Sequence, residues 1–222
     1  MGEKKTEAMS HKAAMRVIEL AKAQLELKQA QSDYQIDQLR LRSAQRDARW
    51  REAEDREYGI FNLDTAVGAN AVKLASELRQ WGRLNPEKPI TLNIFSPGGS
   101  IFHGITLYDT LRSLSRKGHT VTTYALGYAA SMGSLILLAG DVRIASGEAL
   151  IMFHKLAAGT GGMLYEMEDD LAFYKRLNSR LAAIVTSRTN IPLETLEKKW
   201  DRTDWWISAT EAKKLGVVDL ID

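Results

Sequence analysis

From residue 58 onward the apolar positions fall into short blocks whose spacing alternates between strand-like and helix-like periods, with turn residues between them. The segment 58–63 reads as a short strand, and 67–81 as a helix with Val67, Ala71, Leu74 and Leu78 on one face. Asn85-Pro86-Glu87-Lys88-Pro89 makes a turn, and 90–95 is a buried strand ending at Ser96-Pro97-Gly98-Gly99. An amphipathic helix over 101–115 leads to a strand over 120–126, and a helix over 131–139 opens at a serine. Strands follow over 142–145 and 150–153, then a flexible break at 159–162 and a long helix over 163–189. Helices over 192–200 and 208–215 complete the pattern, the second opened by a Ser208/Glu211 capping box. Strands alternating with crossover helices predict an α/β fold with a mainly parallel sheet.

The first 57 residues have another texture. Residues 3–57 contain neither glycine nor proline and are rich in Ala, Glu, Lys, Gln, Arg and Leu, the strong helix formers. Asp33 and Asp37 near Arg40, and Asp47 with Arg51, support an exposed helix. One apolar stripe runs through Val17, Ile18, Ala21 and Leu25, and Ile36, Leu39 and Ala44 only partly continue it, so a strict heptad seam is not established. The chain is expected to divide into a charged helical N-terminal extension, 1–57, and a folded domain, 58–222. The extension reads either as a solvated helix or as an arm that packs on a partner subunit or is removed as a pro-segment.

Composition narrows the chemistry. The 222 residues suffice for one sizeable core plus an appendage. A net charge of +2 makes no demand for nucleic acid or an anionic membrane. The absence of cysteine excludes disulfides, thiolate metal sites and a cysteine nucleophile, and fits a reducing compartment. No secretory h-region is visible, and the longest apolar stretch, 125–140, is interrupted and shorter than the ~20 residues of a spanning helix. A cytoplasmic protein is the expectation.

Three side chains then stand out. Ser131 lies in Gly127-Tyr128-Ala129-Ala130-Ser131-Met132-Gly133, small-residue surroundings close to those of a nucleophile elbow, although a serine here could equally be a helix N-cap. Ser134 is a local competitor expected to be more buried. His154 closes the apolar run Ala149-Leu150-Ile151-Met152-Phe153, at a strand end where α/β active sites sit. His103, just after Pro97-Gly98-Gly99, is its rival as base, while His11 lies in the extension and His119 in a turn expected to be solvated. Asp204, with Asp201 as the alternative, lies among Trp200, Trp205 and Trp206, which either shield it or form a surface packing cluster. Serine, histidine and aspartate are the parts of an acyl-transfer triad. The N–H groups of Gly99 and Met132 could bind the oxyanion.

Taken together, these residues resemble the Clp protease proteolytic subunit family, ClpP. The likeness runs from about Tyr58 to the C-terminus, through Asn85-Pro86-Glu87-Lys88-Pro89-Ile90, Ser96-Pro97-Gly98-Gly99 and Leu107-Tyr108-Asp109-Thr110. It continues through Ala129-Ala130-Ser131-Met132-Gly133-Ser134, Ile151-Met152-Phe153-His154, Asp204-Trp205-Trp206-Ile207-Ser208-Ala209-Thr210-Glu211-Ala212 and Leu215-Gly216-Val217-Val218-Asp219.

The resemblance implies a ClpP/crotonase fold of stacked ββα units, with 163–189 as the long handle helix that interlocks two stacked rings of seven. It selects Ser131, His154 and Asp204 as the triad, and Gly99 and Met132 as the oxyanion hole. It implies a serine endopeptidase that forms a homo-oligomeric ring or chamber, needs no cofactor and receives unfolded chains from an ATP-driven unfoldase. No metal, nucleic acid or membrane enters this reading.

Two departures are visible. The family's short axial-loop N-terminus is replaced by the long charged arm, and Thr203 and Trp205 stand beside the aspartate where charged residues are usual. Divergent relatives of this kind resemble phage head-maturation proteases that cut scaffold or capsid protein inside a procapsid, in a host cytoplasm. Further rivals are a crotonase-type acyl-CoA enzyme, a signal-peptide-peptidase-like Ser/Lys enzyme and an inactive structural ring subunit.

Overall fold

The computed structural model describes residues 2–222, in two compact units, one ending at Glu54 and the other spanning Asp55–Asp222. Helix α1 (Gly2–Glu57) is uninterrupted, as a stretch without glycine or proline allows. It stops where Gly59 takes a φ of +75°, a backbone turn that a side chain would obstruct against Trp81. The strand expected over 58–63 therefore starts two residues late, as β1 (Ile60–Leu63).

The second unit follows the alternation expected of it. After β1 come α2 (Ala69–Leu84), β2 (Ile90–Ser96), α3 (Ile101–Arg116), β3 (Val121–Ala130) and α4 (Met132–Leu137). Then come β4 (Val142–Ala145), β5 (Leu150–Phe153), α5 (Leu164–Arg188), α6 (Leu193–Lys199), β6 (Trp205–Ser208), α7 (Ala209–Lys214) and β7 (Leu220–Ile221). The sheet runs β1-β2-β3-β4-β7 with all neighbours parallel, while β5 pairs parallel with β3 and antiparallel with β6. The result is a mixed α/β architecture with a mainly parallel sheet. Strands β6 and β7 were not expected from the sequence.

Strand β3 is the part of the sheet that matters for the site. Its first half, Thr122–Ala125, pairs with β4, and its last residues, Tyr128–Ala130, pair with β5. Between them the register to β2 slips, from Ile94↔Ala125 to Ser96↔Ala129, at Gly127 with φ +71°. This bulge lets one strand change neighbours, as extra residues in a ladder do. The strand expected to stop at residue 126 therefore continues to Ala130 and delivers Ser131.

The core joins Leu92 and Ile94 of β2, Leu107 and Leu111 of α3, Val121 and Ala125 of β3, and the whole of α4. Helix α4 ends inside the protein, where its last carbonyls would lack partners. Arg188 Nε donates to the Leu138 carbonyl at 2.9 Å and Arg112 Nη1 to the Ala139 carbonyl at 3.2 Å. His119, expected to be solvated, is 4% exposed; its Nδ1 lies 2.9 Å from the Lys88 carbonyl and its ring packs against Trp81. No helix among the described residues is long and apolar enough to cross a membrane.

Candidate active site

Ser131 joins β3 to α4 with φ +56° and ψ −119°, a backbone conformation that L-residues rarely adopt. It occupies the N-cap position of α4, yet its side chain makes no capping bond. Its Oγ faces His154 instead, 2.6 Å from Nε2. The strained backbone is fixed from behind. The Ser131 N–H donates to the Met152 carbonyl at 2.9 Å, and the Ser134 hydroxyl, fully buried, lies 2.6 Å from the Ser131 carbonyl and 2.9 Å from that of Met152. Ser134 thus braces the turn and has no access to a substrate.

The Pro97-Gly98-Gly99 turn packs directly on this elbow. A Cβ on Gly98, whose φ is +86°, would lie 2.6 Å from Ser131 Cβ and 2.7 Å from Met132 N. Only glycine fits there. Ser96 anchors the turn, donating its hydroxyl to the Thr65 carbonyl at 2.6 Å and receiving the Gly98 N–H at 3.2 Å. Val67 binds on the far side, through its N–H to the Gly98 carbonyl at 2.7 Å and its carbonyl to the Ser100 N–H at 2.8 Å. These bonds leave the Gly99 N–H out, and Met132, the first residue of α4, has no helical acceptor for its own. Both expected oxyanion donors therefore flank Ser131 without a backbone partner among the described residues.

His154 follows the last residue of β5 and is half-buried. Strand β6 runs antiparallel to β5 with Phe153 opposite Trp205, so the next position of the ladder faces His154 with Asp204. The His154 Nδ1 to Asp204 Oδ1 distance is 3.5 Å. This register brings Asp204, and not Asp201, to the imidazole. Asp201 lies 2.6 Å from Lys155 Nζ, a pairing that holds its carboxyl below the usual range.

Of the two readings of the tryptophans, the shield fails. Asp204 is not shielded by its tryptophans: its side chain is 59% exposed. Alternation along β6 explains why, since Trp205 packs toward Phe153, with ring centroids 6.2 Å apart, while Trp206 points to solvent. Trp200 is buried in the wall of the neighbouring cavity and borders a second cleft with Asp204 without covering it. The sequence signal for β6 is Trp205-Trp206-Ile207-Ser208 itself, an aromatic and β-branched run that reads as a strand.

The rivals stand apart. His103, on α3, makes no bond to Ser131, and its Nδ1 is buried without a partner. Lys155 is engaged with Asp201, so no lysine side chain is hydrogen-bonded to Ser131 among the described residues.

Beside Ser131 and His154 opens a cavity of about 380 Å³ whose walls include Leu135, Phe153, Leu177, Leu181 and Trp200. It has the size and apolar lining to take one large apolar side chain. Chemically, the site offers a hydroxyl in contact with an imidazole, a carboxylate behind the imidazole, two unpaired amides and an apolar recess.

Comparison with known proteins shows the family of the chain. Residues 56–222 match the family model described as Clp protease. Over 155 residues, 69% of this chain and 75% of the relative, the sequence is 35% identical to "ATP-dependent Clp protease proteolytic subunit 3" of Rhodococcus jostii (strain RHA1). Over 168 residues, 73% of this chain and 74% of the relative, it is 36% identical to the protein of the same name from Streptomyces coelicolor.

Proposed function

The chain belongs to the Clp protease family and is a serine-type peptidase, and we propose that it cleaves internal peptide bonds through Ser131, His154 and Asp204. The observation that carries this reading is the 2.6 Å contact between Ser131 Oγ and His154 Nε2 on a serine held at positive φ.

In this mechanism Ser131 Oγ attacks the scissile carbonyl carbon while its proton passes to His154 Nε2. The carbonyl oxygen becomes an oxyanion and takes hydrogen bonds from the Gly99 and Met132 amides, which are fixed before the substrate arrives. Collapse of the tetrahedral intermediate expels the amine, which receives the proton from His154. Water, activated by the same nitrogen, then releases the acyl group and restores Ser131. Asp204 accepts from Nδ1–H, keeping the tautomer in which Nε2 is free to take a proton. The cavity lined by Leu135, Phe153 and Leu181 supports a preference for an apolar residue on the acyl side of the cut bond.

Both relatives carry ATP dependence and subunit status in their names. For this chain we accordingly infer a ring-like homo-oligomer acting on unfolded protein, with an ATP-driven unfoldase as partner. Ser131→Ala tests the core of the reading. It is expected to abolish hydrolysis of an unfolded protein while thermal unfolding and assembly mass stay unchanged. Full activity in that variant would refute the assignment.

A further inference from the structure

Within α1 the residues repeat every seven positions, a pattern concealed by the stripe through Val17, Ile18, Ala21 and Leu25. Gln24, Gln31, Gln38 and Gln45 recur at this interval, and Leu27, Tyr34, Leu41 and Ala48 follow them three residues later. Glu26, Asp33, Arg40 and Asp47, all charged, keep the same spacing. With the glutamines at a, the apolar residues at d and the charges at c, residues 24–51 form four heptads. A straight helix drifts about 20° per heptad from such a repeat, so holding it over four heptads is the mark of a left-handed supercoil.

Three of the d residues lie open on this helix. Leu27 is 60% exposed, Tyr34 66% and Leu41 53%. Ala30, Gln31, Tyr34 and Gln35, at g, a, d and e, outline a shallow depression on the same face.

We propose that this face is the seam of a parallel, in-register coiled coil with α1 of a second copy of the chain. The glutamines favour that occupant over others. A glutamine amide carries both donors and an acceptor, so a Gln facing its own counterpart is satisfied across the seam. An antiparallel copy would set each Gln against Leu, Tyr or Ala, and an apolar partner of another kind would leave all four amides unpaired, each at a cost.

The charges agree. In a parallel pair a g residue faces the following e residue of the other helix. This brings Asp37 to Arg42 of the second copy, while Ala30 and Ala44 leave two of the other three g positions without charge. On its own helix, among the described residues, Asp37 has one exposed ion pair, 3.7 Å to Arg40. Polar a residues fix register at a cost in stability, so the seam is specific rather than strong.

The inference does not depend on the peptidase reading. The chain has no cysteine, so one introduced thiol reports on one position. In full-length protein carrying Ser131→Ala to prevent self-cleavage, Gln31→Cys is expected to give a disulfide-linked dimer on mild oxidation. Ser32→Cys, at b, is expected to stay monomeric on denaturing gels. Two nearby leucines then test the register: Leu41→Asp at d should abolish the Gln31→Cys cross-link, and Leu39→Asp at b should leave it. Equal cross-linking at both positions, none at Gln31→Cys, or loss through Leu39→Asp in place of Leu41→Asp overturns the proposal.

Discussion

Phe153 and Trp205 stand opposite one another in the antiparallel β5–β6 pair, and the next step of that register sets His154 beside Asp204. The carboxylate is thus positioned by main-chain pairing, and it remains open to solvent at 59% exposure.

That exposure sets the size of the expected effect. Replacing a buried triad aspartate by asparagine lowers kcat about 10⁴-fold, chiefly through the wrong imidazole tautomer. A solvated carboxylate at 3.5 Å interacts through a higher effective dielectric and is screened by salt. Asp204→Asn is therefore expected to lower kcat by roughly 10- to 100-fold, less than for a buried aspartate, with KM for a short peptide unchanged. Steady-state kinetics of the purified variant checks both values.

Ser134 is expected to behave unlike Ser131. Its buried hydroxyl braces the elbow through the Ser131 and Met152 carbonyls. Ser134→Ala should destabilise the fold by about 1–2 kcal/mol through the lost buried hydrogen bond, while keeping measurable turnover. Ser131→Ala should do the reverse. Denaturant unfolding and peptide hydrolysis on the same preparations separate the two roles.

Acid stability rests partly on Asp141. Burial would raise its pKa, but hydrogen bonds from the Val121 N–H, Ser115 and Arg112, together with the Arg112 charge, outweigh this and lower it. A carboxyl whose folded pKa lies below its unfolded value of about 3.9 stabilises the protein above that pH. The contribution disappears as pH falls through the lower, folded value. Asp141→Asn should accordingly lower Tm at neutral pH, and the wild-type and variant curves should converge below about pH 4. Thermal melts across pH 3–7 would follow the convergence.

Much of the fold was legible because its periods are strong. The helix read at 163–189 is α5 at Leu164–Arg188, and the strand read at 90–95 is β2 with one residue more. The Ser208/Glu211 capping box forms as its spacing implies. Where the reading fell short, tertiary context had overridden a local signal. Gly127 looked like a strand end but is a bulge through which β3 changes partners. Trp205 and Trp206 looked like a shield, yet a strand sends successive side chains to opposite faces. β7 is two residues long, too short for any period to register. Ser131, His154 and Asp204 were each ambiguous alone, since only the β3–β5–β6 pairings bring them together.

Ser131 is expected to be an activated nucleophile. Labelling the native protein with a serine-reactive fluorophosphonate, followed by peptide mass mapping, tests it most directly. A single adduct is expected, on Ser131, lost in Ser131→Ala and strongly slowed in His154→Gln. An adduct on another serine, or peptide hydrolysis that persists with Ser131 unlabelled, would contradict it.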